Sequence, residues 1–102
     1  MNGAEGQRID KWLWHARFAP TRSAAQRLAA SGHVRLNRDK VRSPSRLVRP
    51  GDVLTLALRG GVRVIRVVGM AERRGSFADA QLLYAEQSPK QPGDARAGGA
   101  EE

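Results

Sequence analysis

Cysteine is absent from this chain of 102 residues, which excludes a disulfide scaffold, a thiolate zinc site and a cysteine nucleophile and leaves packing alone to hold the fold. Long apolar runs are absent too: nothing approaches the roughly 20 residues of a membrane-crossing helix. Met1 to Gln7 is polar and the first apolar cluster after it is broken by charge, so no signal peptide is expected. What remains is a soluble, cytoplasmic protein. Histidine is limited to His15 and His33, and the acids between Arg8 and Val53 are only Asp10, Asp39 and Asp52, a set without catalytic or metal-ligating spacing. A glycine-rich phosphate loop is missing, since Gly60-Gly61 suits a hairpin better. An enzyme is therefore not expected, and no cofactor or metal is called for.

Positive charge is what the chain has in excess. Eighteen Lys and Arg face 10 Asp and Glu, a net charge of +8 that points to a polyanionic partner. The charge is uneven: Arg8 to Arg49 holds 11 basic and 2 acidic residues, whereas Ser76 to Glu102 holds 2 basic and 5 acidic. The electrostatic footprint is thus in the first half, and nucleic acid is the first candidate. A membrane surface would call for a long basic amphipathic helix or a lipidation motif, and neither is visible, so no membrane partner is expected. Fifteen of the basic residues are Arg, suited to bidentate phosphate contact, but a GC-rich genome gives the same bias and the preference alone decides little.

The length accommodates one domain. The expected division is a disordered leader over 1–7, one domain with a β-ribbon extension over 8–86, and a disordered tail over 87–102, where Pro, Gly, Ala and charge lack any apolar period. Ile9, Trp12, Leu13 and Ala16 recur at helical spacing and predict a helix over Arg8 to Phe18, closed by Pro20. A second helix, capped by either Thr21 or Ser23, runs to about Ser31 with Ala24, Ala25, Leu28 and Ala29 on one face and stops at Gly32. His33 to Asn37 alternates as a half-buried strand, followed by a polar turn at Asn37, Arg38 and Asp39. Val53 to Leu58 and Val62 to Val68 read as a hairpin about Gly60-Gly61, with Leu54, Leu56, Leu58, Val62 and Val64 inward. Ser76 to Ala80 fits a single helical turn before Leu82 to Tyr84 extends. The fold class expected is α+β, two short helices packed on a small, mostly antiparallel sheet.

The order Arg8-Ile9-Asp10, Thr21-Arg22, Gly32-His33-Val34-Arg35-Leu36-Asn37, Pro44-Ser45 and Gly51-Asp52 resembles the alpha-L RNA-binding domain, the domain named after the fourth small-subunit ribosomal protein, over roughly Arg8 to Leu56. Asp10-Lys11-Trp12-Leu13-Trp14, then Ala16-Arg17-Phe18, with Leu82-Leu83-Tyr84 downstream, is similar to its subfamily of ribosome-associated heat-shock proteins of about fifteen kilodaltons, as far as about Glu86. The resemblance implies helices and a first strand-turn facing structured RNA. It further implies a large ribosomal subunit as partner, stalled or stressed, with peptidyl-tRNA on it. Two departures stand out. The subfamily usually continues into a basic C-terminal helix where this chain has a short, slightly acidic tail, and the family often has Asn-Gly where Asn37-Arg38 stands.

The RNA-facing residues so implied are Arg8, Lys11, Arg17, Thr21, Arg22, Gln26, Arg27, Arg35, Asn37 and Lys40. Each has a plainer reading. Arg22, Gln26 and Arg27 share the exposed side of a helix and suit a solvated face; Thr21 suits a cap; Asn37 tolerates left-handed backbone. Trp12 shares the core face, while Trp14 either stacks on a base or covers the sheet edge. A monomer suffices for these contacts. Three rivals remain: a helix-turn-helix-like DNA-binding protein, a targeting module of the kind that shares this domain with RNA-modifying enzymes, and a protein-interaction adaptor suggested by the two-sided apolar character of Val62 to Val68.

Overall fold

The computed structural model describes residues 6–87. Most of the expected leader, residues 1–5, and the tail beyond Gln87 lie outside the described residues. Gly6 and Gln7 belong to the fold instead. Gln7–Arg8 forms β1, which pairs antiparallel with β4 (Leu47–Val48). A Cβ on Gly6 would meet Leu47 Cβ at 3.0 Å and the Val48 carbonyl at 3.1 Å, so glycine permits that approach.

Helix α1 spans Ile9–His15 and buries Ile9, Trp12 and Leu13 completely. No side chain caps its start. The Ile9 and Asp10 amides donate to the carbonyls of Arg46 (2.7 Å) and Pro44 (3.2 Å), so the Pro44–Arg46 connection satisfies the first turn. The helix is shorter than the apolar period suggests, because it closes in a Schellman motif: Phe18 N–H donates to Leu13 O and Arg17 N–H to Trp14 O, with Arg17 at φ 65°. That position is ordinarily glycine, and an arginine there carries no stop signal.

Helix α2 covers Arg22–Ala30. Thr21, not Ser23, caps it, its Oγ1 accepting from Ala24 N at 3.0 Å. Ala25 and Ala29 are buried on the core side, and Gly32 at φ 90° turns the chain into β2 (Val34–Leu36). A five-stranded sheet follows in the order β3-β2-β5-β6-β7, every neighbouring pair antiparallel, with β3 at Asp39–Lys40, β5 at Val53–Leu58, β6 at Gly61–Val67 and β7 at Tyr84–Glu86. The architecture is therefore α+β, helices on an antiparallel sheet. The β2–β3 turn is Asn37-Arg38, with Asn37 at φ 57°; Arg38 lacks a positive φ, so this is not the type I′ turn that Asn-Gly favours.

The β5–β6 hairpin corrects one expectation. Leu58 pairs with Gly61, so Arg59-Gly60 is the turn, and Leu54 lies opposite Ile65. A two-residue turn pairs even positions with odd ones, so Leu54 and Leu56 share their face with Ile65 and Val67, not with Val62 and Val64. Ile65 and Val67 are accordingly buried, Val64 is half-buried and Val62 is exposed. The core is one cluster joining these residues to α1, α2, Val34, Leu36, Val41, Val48 and Leu83. Helix α3, Phe77–Gln81, begins with a reciprocal capping box between Ser76 and Asp79.

Candidate nucleic-acid interface

The first cluster of cations is organised by a buried acid. Asp10 is fully buried in the first turn of α1, and its carboxylate accepts from Arg8 Nε (3.2 Å), Arg8 Nη2 (3.0 Å), Lys11 N (2.7 Å) and Arg22 Nη2 (3.4 Å). Burial raises its pKa, but the Arg8 hydrogen bonds, the Lys11 amide and the charges of Arg22 and Arg8 together outweigh that and hold it below the ordinary carboxylate value. One carboxylate thus aligns two arginines from different elements. Both remain partly open to solvent, with side chains 48% and 38% exposed. Arg22 is therefore not simply part of a solvated helix face: it ties α2 to α1. Gln26 and Arg27, one turn on, are exposed as expected.

The second cluster lies on the β2–β3 hairpin. Arg35 pairs across the ladder with Lys40, and both are exposed. The Lys40 side chain passes Gly32, where its Nζ would lie 4.0 Å from a Cβ, and so borders the C-terminal end of α2. Asn37 is committed to its own chain: its Oδ1 accepts from Val53 N (3.0 Å), and its Nδ2 donates to Asp52 Oδ1 (3.4 Å). Thr21 likewise spends its oxygen on the α2 cap. Among the described residues no carboxylate pairs with Lys11, Arg27, Arg35, Lys40 or Arg42.

Sequence reasoning missed the wall beside Lys40. Lys40, Arg42, Ser43, Ser45 and Arg46 line a cleft of about 370 Å³, in which Ser43 and Ser45 share a hydrogen bond of 2.8 Å and Arg46 approaches Asp39 at 3.5 Å. Arg42 and Arg46 flank the Pro44-Ser45 pair that the family resemblance rests on, and that spacing was the available signal. Arg17, by contrast, stands at the end of α1, its Nε and Nη2 both donating to the Gly75 carbonyl at 3.1 and 2.7 Å.

Of the two tryptophans, Trp12 takes the core position expected of it. Trp12 is buried and donates from Nε1 to the Gly69 carbonyl at 2.9 Å. Trp14 is half-buried beneath the Arg74 guanidinium, 5.6 Å from its ring centroid. His15 is buried with neither ring nitrogen in hydrogen-bond geometry. Burial lowers its pKa below the ordinary value, the Ala71 backbone pulls the other way, and the charges of Lys11, Arg22 and Arg74 lower it further, so it is neutral near pH 7. Among the described residues no group of three or more His, Cys, Asp or Glu could hold a metal ion, and no helix is long and apolar enough to cross a membrane.

This geometry coincides with a family match. Residues 7–54 match the model of the S4 domain. The chain is similar to the heat shock protein 15 homolog of Haemophilus influenzae, 38% identical over 79 residues that cover 78% of this chain and 60% of that protein. Heat shock protein 15 of Escherichia coli K12 is equally similar, 38% identical over 78% of this chain and 59% of that protein. The small ribosomal subunit protein uS4 of Novosphingobium aromaticivorans is 34% identical over 81% of this chain and 36% of that protein. The chain spans about 60% of the length of the heat shock protein 15 relatives. Among solved structures, the trimeric structure of Vibrio cholerae heat shock protein 15 superposes with a TM-score of 0.76 at 36% identity, covering 82% of this chain and 84% of that one.

Proposed function

This chain belongs to the S4 domain family as a relative of heat shock protein 15, and from that premise we propose that it is a non-enzymatic, cytoplasmic RNA-binding protein that docks on structured ribosomal RNA of the large ribosomal subunit during heat stress or stalled translation. The observation that carries the reading is the run of cations, Lys11, Arg27, Arg35, Lys40 and Arg42, that have no carboxylate partner among the described residues and lie within the segment that matches the S4 domain. Such side chains give up little internal energy when they meet phosphate, and they release counterions when they do.

In this reading Lys11, Gln26, Arg27, Arg35 and Lys40 contact the RNA backbone directly. Arg8 and Arg22 contact it from orientations set by Asp10, Arg17 contacts it from the end of α1, and Thr21 and Asn37 present α2 and the hairpin turn. The contacts fix register by the shape of a folded RNA, with little reading of base edges. Peptidyl-tRNA held on a stalled subunit is the further partner the reading names.

The test is cosedimentation with separated small subunits, large subunits and intact ribosomes across a salt series, with the free protein sedimented alongside because the Vibrio cholerae relative was solved as a trimer. Binding should favour large subunits. If about five phosphates are neutralised, log affinity should fall against log salt with a slope of about −3.5 to −4.5. The double variant Arg27→Ala, Lys40→Ala, both residues exposed and without a carboxylate partner among the described residues, should lose binding while melting like the native protein. Salt-independent binding, or a variant that binds normally, would refute the assignment.

A further inference from the structure

Arg17 and Arg74 clamp the end of α1 reciprocally. The Arg17 guanidinium donates to the backbone of Gly75, and Arg74 Nε donates to the backbone of Trp14 at 3.0 Å. Both partners are neutral carbonyls. Among the described residues neither guanidinium has a carboxylate, so two positive charges are held by backbone carbonyls at one cleft. The arrangement is kept although Arg17 sits at φ 65°, a conformation that costs a non-glycine residue roughly 1–2 kcal/mol. Glycine would close the helix without that cost, which points to a use for the guanidinium itself.

The cleft between the two arginines has a volume of about 310 Å³, at the small end of the ~300–1,000 Å³ typical of ligand sites, and Phe18, Ala19, Pro20 and Phe77 complete its lining. Among the described residues no acid contributes to it. Phe77 is 64% exposed on the second face of a short helix whose cap is already satisfied, so neither the core nor the cap accounts for the ring. An exposed aromatic that shares a cleft with two cations, on an apolar floor, is the pattern that takes a base on its π-face and the adjoining phosphates on the arginines.

We propose that this cleft is a second RNA-contact site, which takes an unpaired nucleotide with its base stacked on Phe77 and its phosphates against Arg17 and Arg74. It rests on the RNA-binding reading above. A base-paired duplex hides the faces of its bases, so the occupant is a looped-out or terminal nucleotide. The floor at Phe18–Pro20 is the turn that leads into Thr21 and α2, which makes the cleft continuous with the candidate interface. Charge decides against an apolar protein occupant, which would have to desolvate both guanidiniums without pairing them, and the exposed Phe77 ring favours a base face over a carboxylate.

The experiment titrates the full chain into a hairpin RNA carrying 2-aminopurine in its loop, and into a fully paired duplex of equal charge. Native protein should prefer the hairpin and change the 2-aminopurine fluorescence on binding. Phe77→Ala should weaken hairpin binding about 5- to 150-fold, the range of base–aromatic stacking, leave duplex binding unchanged, and melt like the native protein; Phe77→Trp should restore the preference. Equal binding of hairpin and duplex by the native protein, or a Phe77→Ala variant that binds the hairpin normally, would overturn the cleft assignment while leaving RNA binding intact. Binding to neither RNA would overturn both readings. A Phe77→Ala variant altered only in self-association would reassign the patch to protein contact.

Discussion

Replacing Asp10 should damage stability and RNA binding together, and the structure sets the size of the first effect. The carboxylate is fully buried and accepts four hydrogen bonds, from Arg8 twice, Lys11 and Arg22. Breaking a buried ion pair ordinarily costs about 3–5 kcal/mol, because the surviving charge stays buried. Here the survivors are 48% and 38% exposed and rehydrate, so Asp10→Ala should cost less, about 1–3 kcal/mol. For a domain of this size that is a loss of about 4–8 °C in Tm per kcal/mol. Asp10→Asn should not rescue fully, since its amide turns a donor toward the Arg8 or Arg22 donors.

The pH dependence gives a second readout. Asp10's pKa is lowered in the folded state, so its contribution is complete above the ordinary value near 3.8 and is lost as pH falls from there through the folded pKa. Urea unfolding from pH 7 downward should show native and Asp10→Ala proteins separated by a constant gap to about pH 4, closing below it. Salt-sensitive binding should weaken at pH 7 as Arg8 and Arg22 lose their orientation. An Asp10→Ala protein as stable as the native one at pH 7, or a gap that persists unchanged in strong acid, would refute the role assigned to this carboxylate.

Two further outcomes follow from single side chains. His15 has a lowered pKa, so its neutral form favours the fold above about pH 6.5; stability should fall on acidification through that value, by at most about 1.4 kcal/mol per pH unit, and His15→Gln should flatten the profile between pH 7 and 5, an unchanged profile refuting the assignment. Thr21→Ala should cost about 1 kcal/mol through the lost Ala24 cap, whereas Ser23→Ala should stay within about 0.5 kcal/mol, and equal losses in thermal melts would show the cap misplaced.

Much of the fold is legible in local chemistry. Ile9, Trp12, Leu13 and Ala16 mark the buried face of α1 by spacing alone, and Thr21 and Gly32 bracket α2 by the backbone conformations they permit. The end of α1 was not legible, because Arg17 occupies a left-handed position that glycine normally advertises and is held there by a carbonyl 58 residues away. The buried face of β6 was misread for a related reason: Val62, Val64, Ile65 and Val67 are apolar on both sides, and only the pairing of Leu58 with Gly61 selects the parity.

The candidate site divides along the same line. By itself the sequence determined that the first half is a basic α+β unit with Arg27, Arg35 and Lys40 exposed, since exposure follows from helical and strand periodicity and charge from composition. Only the tertiary structure decided that Asp10 aligns Arg8 with Arg22, that Asn37 spends its amide on Val53 and Asp52, and that Arg17, Arg74 and Phe77 meet at one cleft. Those residues lie up to 60 positions apart in the chain. Periodicity assigns a side chain to a face of its own element, while the partner waiting on that face depends on how the elements pack.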